Sequence, residues 1–152
     1  MKILLADSHT LFREGFSRQL QRFESATDLR EVTDMNAVRA LADANEKFDL
    51  MFIDRDILGD QWRDDFKTLK TAFADARVVM LGESEEQRDI LDAFGLGAVG
   101  YVTKLSSDSL IINALRLIMD GNTYVPPAVL KGLAARPRKS GESRILSHAL
   151  PD

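Results

Sequence analysis

The chain of 152 residues contains no cysteine, which excludes disulfides, thiolate zinc sites and cysteine nucleophiles. Histidine is scarce, with only His9 and His148 present. No apolar run reaches the roughly 18 to 20 residues of a membrane span, and no signal-peptide core follows Met1. We therefore expect a cytoplasmic protein with no membrane partner.

The overall charge is acidic, with a formal net charge of -4, so the composition gives no general sign of nucleic-acid binding. Residues 131–152 differ, because they hold five Lys and Arg against two acids. The length fits one domain of the common size of about 100 to 150 residues and leaves some residues over. We expect a main domain over residues 1–122, a short helix over 123–135 and a basic linker or tail over 136–152.

Short β-rich runs alternate with gaps that are each long enough for a helix. The runs lie near residues 2–6, 28–32, 49–53, 77–81 and 99–102. In the gaps, apolar residues recur at helical spacing, and Ser84 to Gln87 has the pattern of a capping box that opens the fourth helix. Strands joined by crossover helices predict a doubly wound α/β domain, with a parallel sheet covered on both faces.

Three of these runs end in a charged residue, namely Asp7, Asp54 and Lys104. Ligands of a doubly wound sheet bind outside the carboxyl ends of its strands, and the order 2-1-3-4-5 makes the first and third strands neighbours. A carboxylate there can accept a phosphoryl group if Mg²⁺ neutralises the approaching oxygens and a cation holds the product charge. The three residues therefore predict a site for phosphoryl transfer.

The sequence around these charges resembles the receiver domain of bacterial two-component response regulators. The closest pattern is the NarL/FixJ type, which carries a LuxR-like helix-turn-helix output domain. The resemblance extends from Lys2 to about Leu130 and is carried by three motifs, Leu-Ala-Asp-Ser-His-Thr-Leu-Phe-Arg-Glu-Gly at 5–15, Phe-Asp-Leu-Met-Phe-Ile-Asp at 48–54 and Gly-Ala-Val-Gly-Tyr-Val-Thr-Lys at 97–104. It implies a flavodoxin-like fold with a five-stranded parallel sheet of order 2-1-3-4-5.

The same resemblance implies a role for each strand-end charge. Asp54 is the phosphoacceptor, supplied by a sensor histidine kinase or another phosphodonor. Asp7, Asp54 and the backbone carbonyl of Asp56 bind Mg²⁺, and Lys104 pairs with the phosphoryl oxygens. Tyr101 matches the switch aromatic of the family, although an exposed structural tyrosine explains the residue equally well.

The resemblance also implies partners for the domain. We expect a homodimer through the helix that begins at Ser107 and its neighbours. DNA is expected to be bound only through an output domain that is missing from this chain. Either the chain is a shortened receiver or the natural protein has lost its output domain.

Four positions depart from the family pattern. Ser8 replaces the second metal-binding acid, and Gly82 replaces the Thr or Ser that hydrogen-bonds the phosphoryl group. Leu58 replaces a proline and Trp62 a glycine. We therefore predict phosphorylation that is weakened but not lost.

For three residues at or near these positions, we favour a structural role over a chemical one. Ser8 is interpreted as a helix N-cap. His9 is interpreted as a surface residue at a helix start, because no second His or Cys lies nearby. We interpret Trp62 as a half-buried cover at the start of the third helix.

Two other functions remain open. The first is a receiver-like module that dimerises or binds a partner whatever the state of Asp54. The second reads Asp54 and Asp56 as the Asp-x-Asp motif of haloacid-dehalogenase-like phosphatases, with Asp56 as general acid and base. Gly82 in place of a Thr or Ser, and only the isolated acids Asp108 and Asp120 after Lys104, disfavour that enzyme.

Overall fold

Five strands alternate with helices in the computed structural model, which describes residues 1–23 and 28–134. The strands are β1 (Lys2–Ala6), β2 (Asp28–Val32), β3 (Leu50–Asp54), β4 (Arg77–Gly82) and β5 (Gly100–Thr103). The helices are α1 (Thr10–Phe23), α2 (Met35–Asp43), α3 (Arg55–Leu58), α4 (Trp62–Ala72), α5 (Gln87–Gly95), α6 (Asp108–Met119) and α7 (Pro127–Ala134). The predicted basic tail, residues 136–152, lies outside the described residues.

All strand pairs are parallel, and the sheet order is β2-β1-β3-β4-β5. Every residue of β3 is buried, as expected of a central strand that helices cover on both faces. Strand β2, at one edge of the sheet, is mostly exposed and carries charged residues that discourage pairing with another chain. The predicted doubly wound fold is confirmed.

Two apolar cores lie on opposite faces of the sheet. Helices α2, α4 and α5 cover one face, where the buried side chains include Val38, Phe66 and Ile90. Helices α1 and α6 cover the other face, where Phe16 and Leu115 are buried. Because both faces are covered by packed helices, the polar strand-end residues meet at the carboxyl edge of the sheet, which the helices leave open.

Helix boundaries differ from the sequence prediction at two loops. Helix α5 begins at Gln87 rather than directly after Ser84, so the predicted capping box is wrong. The Ser84 hydroxyl instead donates to Asp89 Oδ2 at 2.9 Å and accepts the Glu86 N–H at 3.2 Å. Helix α1 begins at Thr10, so Ser8 does not stand at its N-cap, and the Ser8 side chain is exposed.

The helices in the described ranges 1–23 and 28–134 all fall short of the length and apolar character that crossing a bilayer requires.

Candidate functional site

Asp7 and Asp54 bring two carboxylates together at the carboxyl edge of the sheet. Asp7 follows β1 directly and Asp54 is the last residue of the neighbouring strand β3. Both side chains are buried. Asp7 Oδ1 accepts the His9 N–H at 2.7 Å, and Asp54 Oδ1 accepts the Asp56 N–H at 3.1 Å. These backbone donors hold each carboxylate in one orientation and leave its other oxygen facing the site.

Lys104 supplies the positive charge between them. Its backbone N–H donates to the Gly82 carbonyl at 2.8 Å, which continues the pairing of β4 with β5 and fixes where the side chain starts. The ammonium Nζ donates to Asp7 Oδ2 at 2.9 Å and lies 3.4 Å from Asp54 Oδ2. It also lies 4.6 Å from the centroid of the Phe12 ring, a cation–π distance. The structure therefore brings together the three strand-end residues that the sequence selected.

The second oxygen of Asp54 is poorly satisfied. Asp54 is 1% exposed, and its Oδ2 is buried without a hydrogen-bond partner among the described residues. Burial is the main cause that raises the pKa of this carboxyl, the Asp56 N–H opposes it, and the negative charge of Asp7 adds to it. An oxygen in this state is open to a cation or to bond formation.

His9 is an exposed residue just before α1, as the sequence interpretation had it, but its ring also contacts the site, which that interpretation did not foresee. Its side chain is 45% exposed, but Nδ1 lies 2.6 Å from Lys104 Nζ, 3.5 Å from Asp7 Oδ1 and 3.4 Å from Asp54 Oδ2. On the other side of the ring, Nε2 is 3.8 Å from Asp56 Oδ2. The short turn between β1 and α1 points this imidazole back over the sheet edge. One sequence feature could have placed His9 in the site, namely its position two residues after the strand-end residue Asp7.

The residues present fit a hard divalent cation such as Mg²⁺ in charge and in ligand type. Asp7 and Asp54 offer carboxylate oxygens, one of them without a hydrogen-bond partner, and such oxygens are what Mg²⁺ prefers. The carbonyl of Asp56 belongs to the first turn after β3, while its side chain is more than half exposed. Ser8 is exposed and adds no charge.

Tyr101 fills the space that a side chain at position 82 would need. A Cβ built on Gly82 would overlap the Tyr101 hydroxyl and lie 2.9 Å from Cζ. The ring is fully buried, and its hydroxyl donates to the Ser84 carbonyl at 2.9 Å. Burial raises the pKa of Tyr101 to about 12, so the hydroxyl stays a donor. The alternative of an exposed structural tyrosine is wrong.

Trp62 is fully buried rather than half-buried, and it anchors a cluster of charged side chains beside the site. The guanidinium groups of Arg55 and Arg63 lie 4.8 and 4.4 Å from the centroid of its ring. Both arginines bond the carboxylate of Asp89, at 3.1 and 3.0 Å. Leu58, in the helical turn before Trp62, is also buried, so both family departures in this loop serve packing.

The sequence over residues 3–116 matches the family described as response regulator receiver domain. Among curated proteins, the chain is 28% identical over 130 residues to a glycerol metabolism activator of Pseudomonas putida, covering 86% of this chain and 59% of that protein. It is 27% identical over 142 residues to the oxygen regulatory protein NreC of Staphylococcus carnosus (strain TM300), covering 88% of this chain and 61% of NreC. The chain thus spans about 60% of the length of these relatives.

Solved structures agree with the sequence comparison. A LuxR-family two-component response regulator from Aurantimonas sp. SI85-9A1 is 25% identical and superposes with a TM-score of 0.71, covering 88% of this chain and 94% of that one. A LuxR-family DNA-binding response regulator from Silicibacter pomeroyi has the same fold, at 23% identity and a TM-score of 0.70 over 84% of this chain and 98% of that one. The LuxR-type resemblance inferred from the motifs is confirmed, and this chain belongs to the response regulator receiver domain family of two-component systems.

Proposed function

We propose that this receiver domain accepts a phosphoryl group on Asp54, and that its chemistry is weaker than a full set of family residues would give. The observation that carries the proposal is the buried Oδ2 of Asp54, which lacks a hydrogen-bond partner among the described residues and lies 3.4 Å from the Lys104 ammonium. A nucleophile needs a free oxygen, and the product needs a nearby cation. Both are present here.

The roles of the other residues follow from their positions. Asp7, Asp54 and the Asp56 carbonyl would hold Mg²⁺, and the bound ion would supply positive charge opposite the oxygens of the incoming phosphoryl group. Asp54 Oδ1 stays on the Asp56 N–H, so Oδ2 is the oxygen that forms the bond to phosphorus as the bond between phosphorus and the phosphodonor breaks and the donor group leaves. Lys104, already beside Oδ2, pairs with the charge that then develops on the phosphoryl oxygens.

Two departures explain why the chemistry is weakened. Ser8 leaves the cation without a third nearby carboxylate beside those of Asp7 and Asp54, an attraction of a few kcal/mol at an effective dielectric constant of about 20. Gly82 removes a hydroxyl that would bond the phosphoryl group, a loss of roughly 1.5 to 3 kcal/mol. Because Mg²⁺ is often bound by one or two protein carboxylates plus phosphate oxygens, Asp7 and Asp54 suffice to hold it.

Beryllofluoride with Mg²⁺ tests this proposal, since it mimics the phosphoryl group on an aspartate. We expect the backbone NMR resonances around Asp54 and Lys104 to shift, and the shifts to vanish in Asp54→Asn. Unchanged spectra of the wild-type chain at saturating beryllofluoride would exclude the proposal. They would leave a module that works without phosphorylation.

That module is the second candidate function, and one observation favours it. Tyr101 occupies the space beside Gly82, and position 82 at the end of β4 carries no hydroxyl that could bond a phosphoryl group and pass the change on to Tyr101. A partner that binds the β5 side of the domain would then meet the same surface whatever the state of Asp54. Equal partner or dimer affinity of wild-type and Asp54→Asn would support this candidate.

Receiver domains are signalling domains rather than classical enzymes. The phosphatase alternative assigned general acid and base chemistry to Asp56, and the family match gives no support to it. Turnover of a phosphomonoester that is lost in Asp56→Asn would revive it.

The partners proposed for the whole protein follow from its relatives. Receivers take phosphoryl groups from histidine kinases, so a sensor kinase or another phosphodonor is the proposed source. We propose transcription control through an output domain outside this chain, because one similar protein is the transcriptional activator protein ExaE of Pseudomonas putida, 25% identical over 138 residues. A homodimer through α6 is also proposed, because Leu110 and Leu117 are exposed on this helix.

A further inference from the structure

The imidazole of His9 gives the site a nitrogen ligand next to its two carboxylates. One ligand atom from each of Asp7, His9 and Asp54 can be chosen so that all three lie within 4.8 Å of one another. Asp54 contributes an oxygen that is buried and has no hydrogen-bond partner among the described residues, which is an observation independent of the clustering. The three groups sit on two neighbouring strand ends and the turn between β1 and α1.

The distances suit direct coordination of one ion. For metal–ligand bonds of about 2.0 to 2.2 Å, neighbouring ligand atoms lie about 2.8 to 3.6 Å apart in octahedral and tetrahedral sites. His9 Nδ1 lies 3.5 Å from Asp7 Oδ1 and 3.4 Å from Asp54 Oδ2, within that range. Two of the three ligand pairs thus already have the spacing of a coordinated ion, and the third, between Asp7 and Asp54, lies within 4.8 Å.

The other side of the imidazole ring has the partner that a metal-bound histidine requires. His9 Nε2 faces Asp56 Oδ2 at 3.8 Å, close enough for a small rotation to form a hydrogen bond. A carboxylate on the distal nitrogen fixes the tautomer and makes the ligating nitrogen more basic. In this arrangement Nδ1 carries the free lone pair and points at Asp7 and Asp54.

Nitrogen ligands change which metal a site prefers. Mg²⁺ favours oxygen ligands, whereas imidazole suits Co²⁺, Ni²⁺, Cu²⁺ and Zn²⁺. We propose that Asp7, His9 and Asp54 bind a late first-row divalent cation, with the His9 imidazole supplying the ligand that the neutral Ser8 does not. The proposal concerns metal binding to the unphosphorylated site, so it stands whether or not Asp54 accepts a phosphoryl group.

The Lys104 ammonium occupies the centre of this cluster in the structure, at 2.6 Å from His9 Nδ1 and 2.9 Å from Asp7 Oδ2. It stands where the ion would bind, and a divalent cation displaces it toward the Phe12 ring, over which it already lies. The lysine is therefore an internal competitor that the metal must outbind.

Calorimetric titration of the full chain with Ni²⁺ alone and with Mg²⁺ alone tests the proposal. Because carboxylate sites also prefer Ni²⁺ to some degree, the deciding quantity is the change of affinity on replacing His9. We expect His9→Ala to weaken Ni²⁺ binding by at least about tenfold. Mg²⁺ binding should change by less than about twofold, since Mg²⁺ uses the oxygens.

The only other histidine provides the matched control, because the chain has two histidines and no cysteine. His148→Ala should leave Ni²⁺ affinity unchanged, and Asp54→Asn should weaken it. With Co²⁺, the imidazole NMR resonances of His9 should broaden, and they should broaden equally in His148→Ala. Loss of Ni²⁺ binding in His148→Ala, or equal affinity of wild-type and His9→Ala, would overturn the proposal.

Discussion

Replacing Gly82 by alanine tests whether Tyr101 really occupies the space of the missing side chain. A Cβ at this position would overlap the Tyr101 hydroxyl and approach Cζ to 2.9 Å. Strand neighbours fix the backbone of β4, which pairs with β3 and β5 on its two sides. The tyrosine ring, and not the strand, therefore has to move.

Two effects of opposite sign set the size of the change. Glycine costs roughly 0.5 to 1 kcal/mol relative to alanine in a strand interior and at most that much at Gly82, the last residue of β4, so the backbone alone would make Gly82→Ala slightly stabilising. Overpacking a buried side chain costs about 1 to 3 kcal/mol, and loss of the hydrogen bond from Tyr101 to the Ser84 carbonyl adds about 1 kcal/mol. The cost of the overlap exceeds the gain from the backbone, and we expect a net destabilisation of about 1 to 3 kcal/mol.

Urea unfolding followed by tryptophan fluorescence measures this directly, because Trp62 is the only tryptophan and is buried. Gly15→Ala is the matched control. Gly15 lies within α1 and is exposed, and no atom lies within 4 Å of where its Cβ would be. This control should stabilise the chain by roughly 0.5 to 1 kcal/mol, since only the backbone effect remains.

A double-mutant cycle with Tyr101→Leu isolates the contact. Once the ring is removed, Gly82→Ala should become neutral or stabilising, with a coupling of at least about 1 kcal/mol between the two sites. Equal stabilisation of the wild-type chain by Gly82→Ala and Gly15→Ala would show that the Tyr101 ring does not occupy the space of the missing side chain. An unchanged cost of Gly82→Ala in the Tyr101→Leu background would show the same.

Three further predictions follow from the charged and exposed residues. Burial raises the pKa of Asp54 in the folded chain. The Asp54 carboxyl therefore contributes its full stabilisation below the unfolded pKa of about 4, and this contribution is lost as the pH rises through the folded pKa. Asp54→Asn should therefore raise the urea midpoint at pH 7 and less so at pH 4, and an equal gain at both pH values would contradict this. Asp89→Ala removes the carboxylate that Arg55 and Arg63 share beside Trp62, although Arg63 keeps its bond to Asp92 at 2.8 Å, so a small decrease of the urea midpoint is expected in the same assay and an unchanged midpoint would contradict it. Leu117→Glu on α6 should shift sedimentation toward monomer, whereas Thr71→Glu, on the exposed side of α4, should not.

The sheet order and the strand-end charges were predictable from the sequence, because parallel strands joined by helices place their carboxyl ends at one edge. Asp7, Asp54 and Lys104 needed only that rule to be grouped, and their contacts confirm the grouping. The same rule does not predict the position of His9, which does not stand at the end of a strand. Its place depends on the path of the short turn before α1, which the strand and helix periodicities do not encode.

Local side-chain competition explains the other errors. Ser84 has the sequence pattern of an N-cap, but its hydroxyl bonds Asp89 and so helix α5 starts later. Nothing in the sequence indicated that Tyr101 points inward, because its ring needs the space left by the absence of a side chain at Gly82, which is nineteen residues away in sequence and lies on the neighbouring strand β4. Trp62 is buried in the apolar core on one face of the sheet, with Arg55 and Arg63 over its ring, and a helix periodicity does not reveal these contacts.

The proposed function of this receiver domain rests on one event, the transfer of a phosphoryl group to Asp54 by weakened chemistry. Intact-mass spectrometry after incubation with acetyl phosphate and Mg²⁺ tests it most directly, with Asp54→Asn as the negative control and Ser8→Asp restoring the second acid. We expect a single phosphoryl adduct on the wild-type chain, none on Asp54→Asn, and faster formation on Ser8→Asp. An adduct that persists in Asp54→Asn, or none on either the wild-type chain or Ser8→Asp, would contradict the claim.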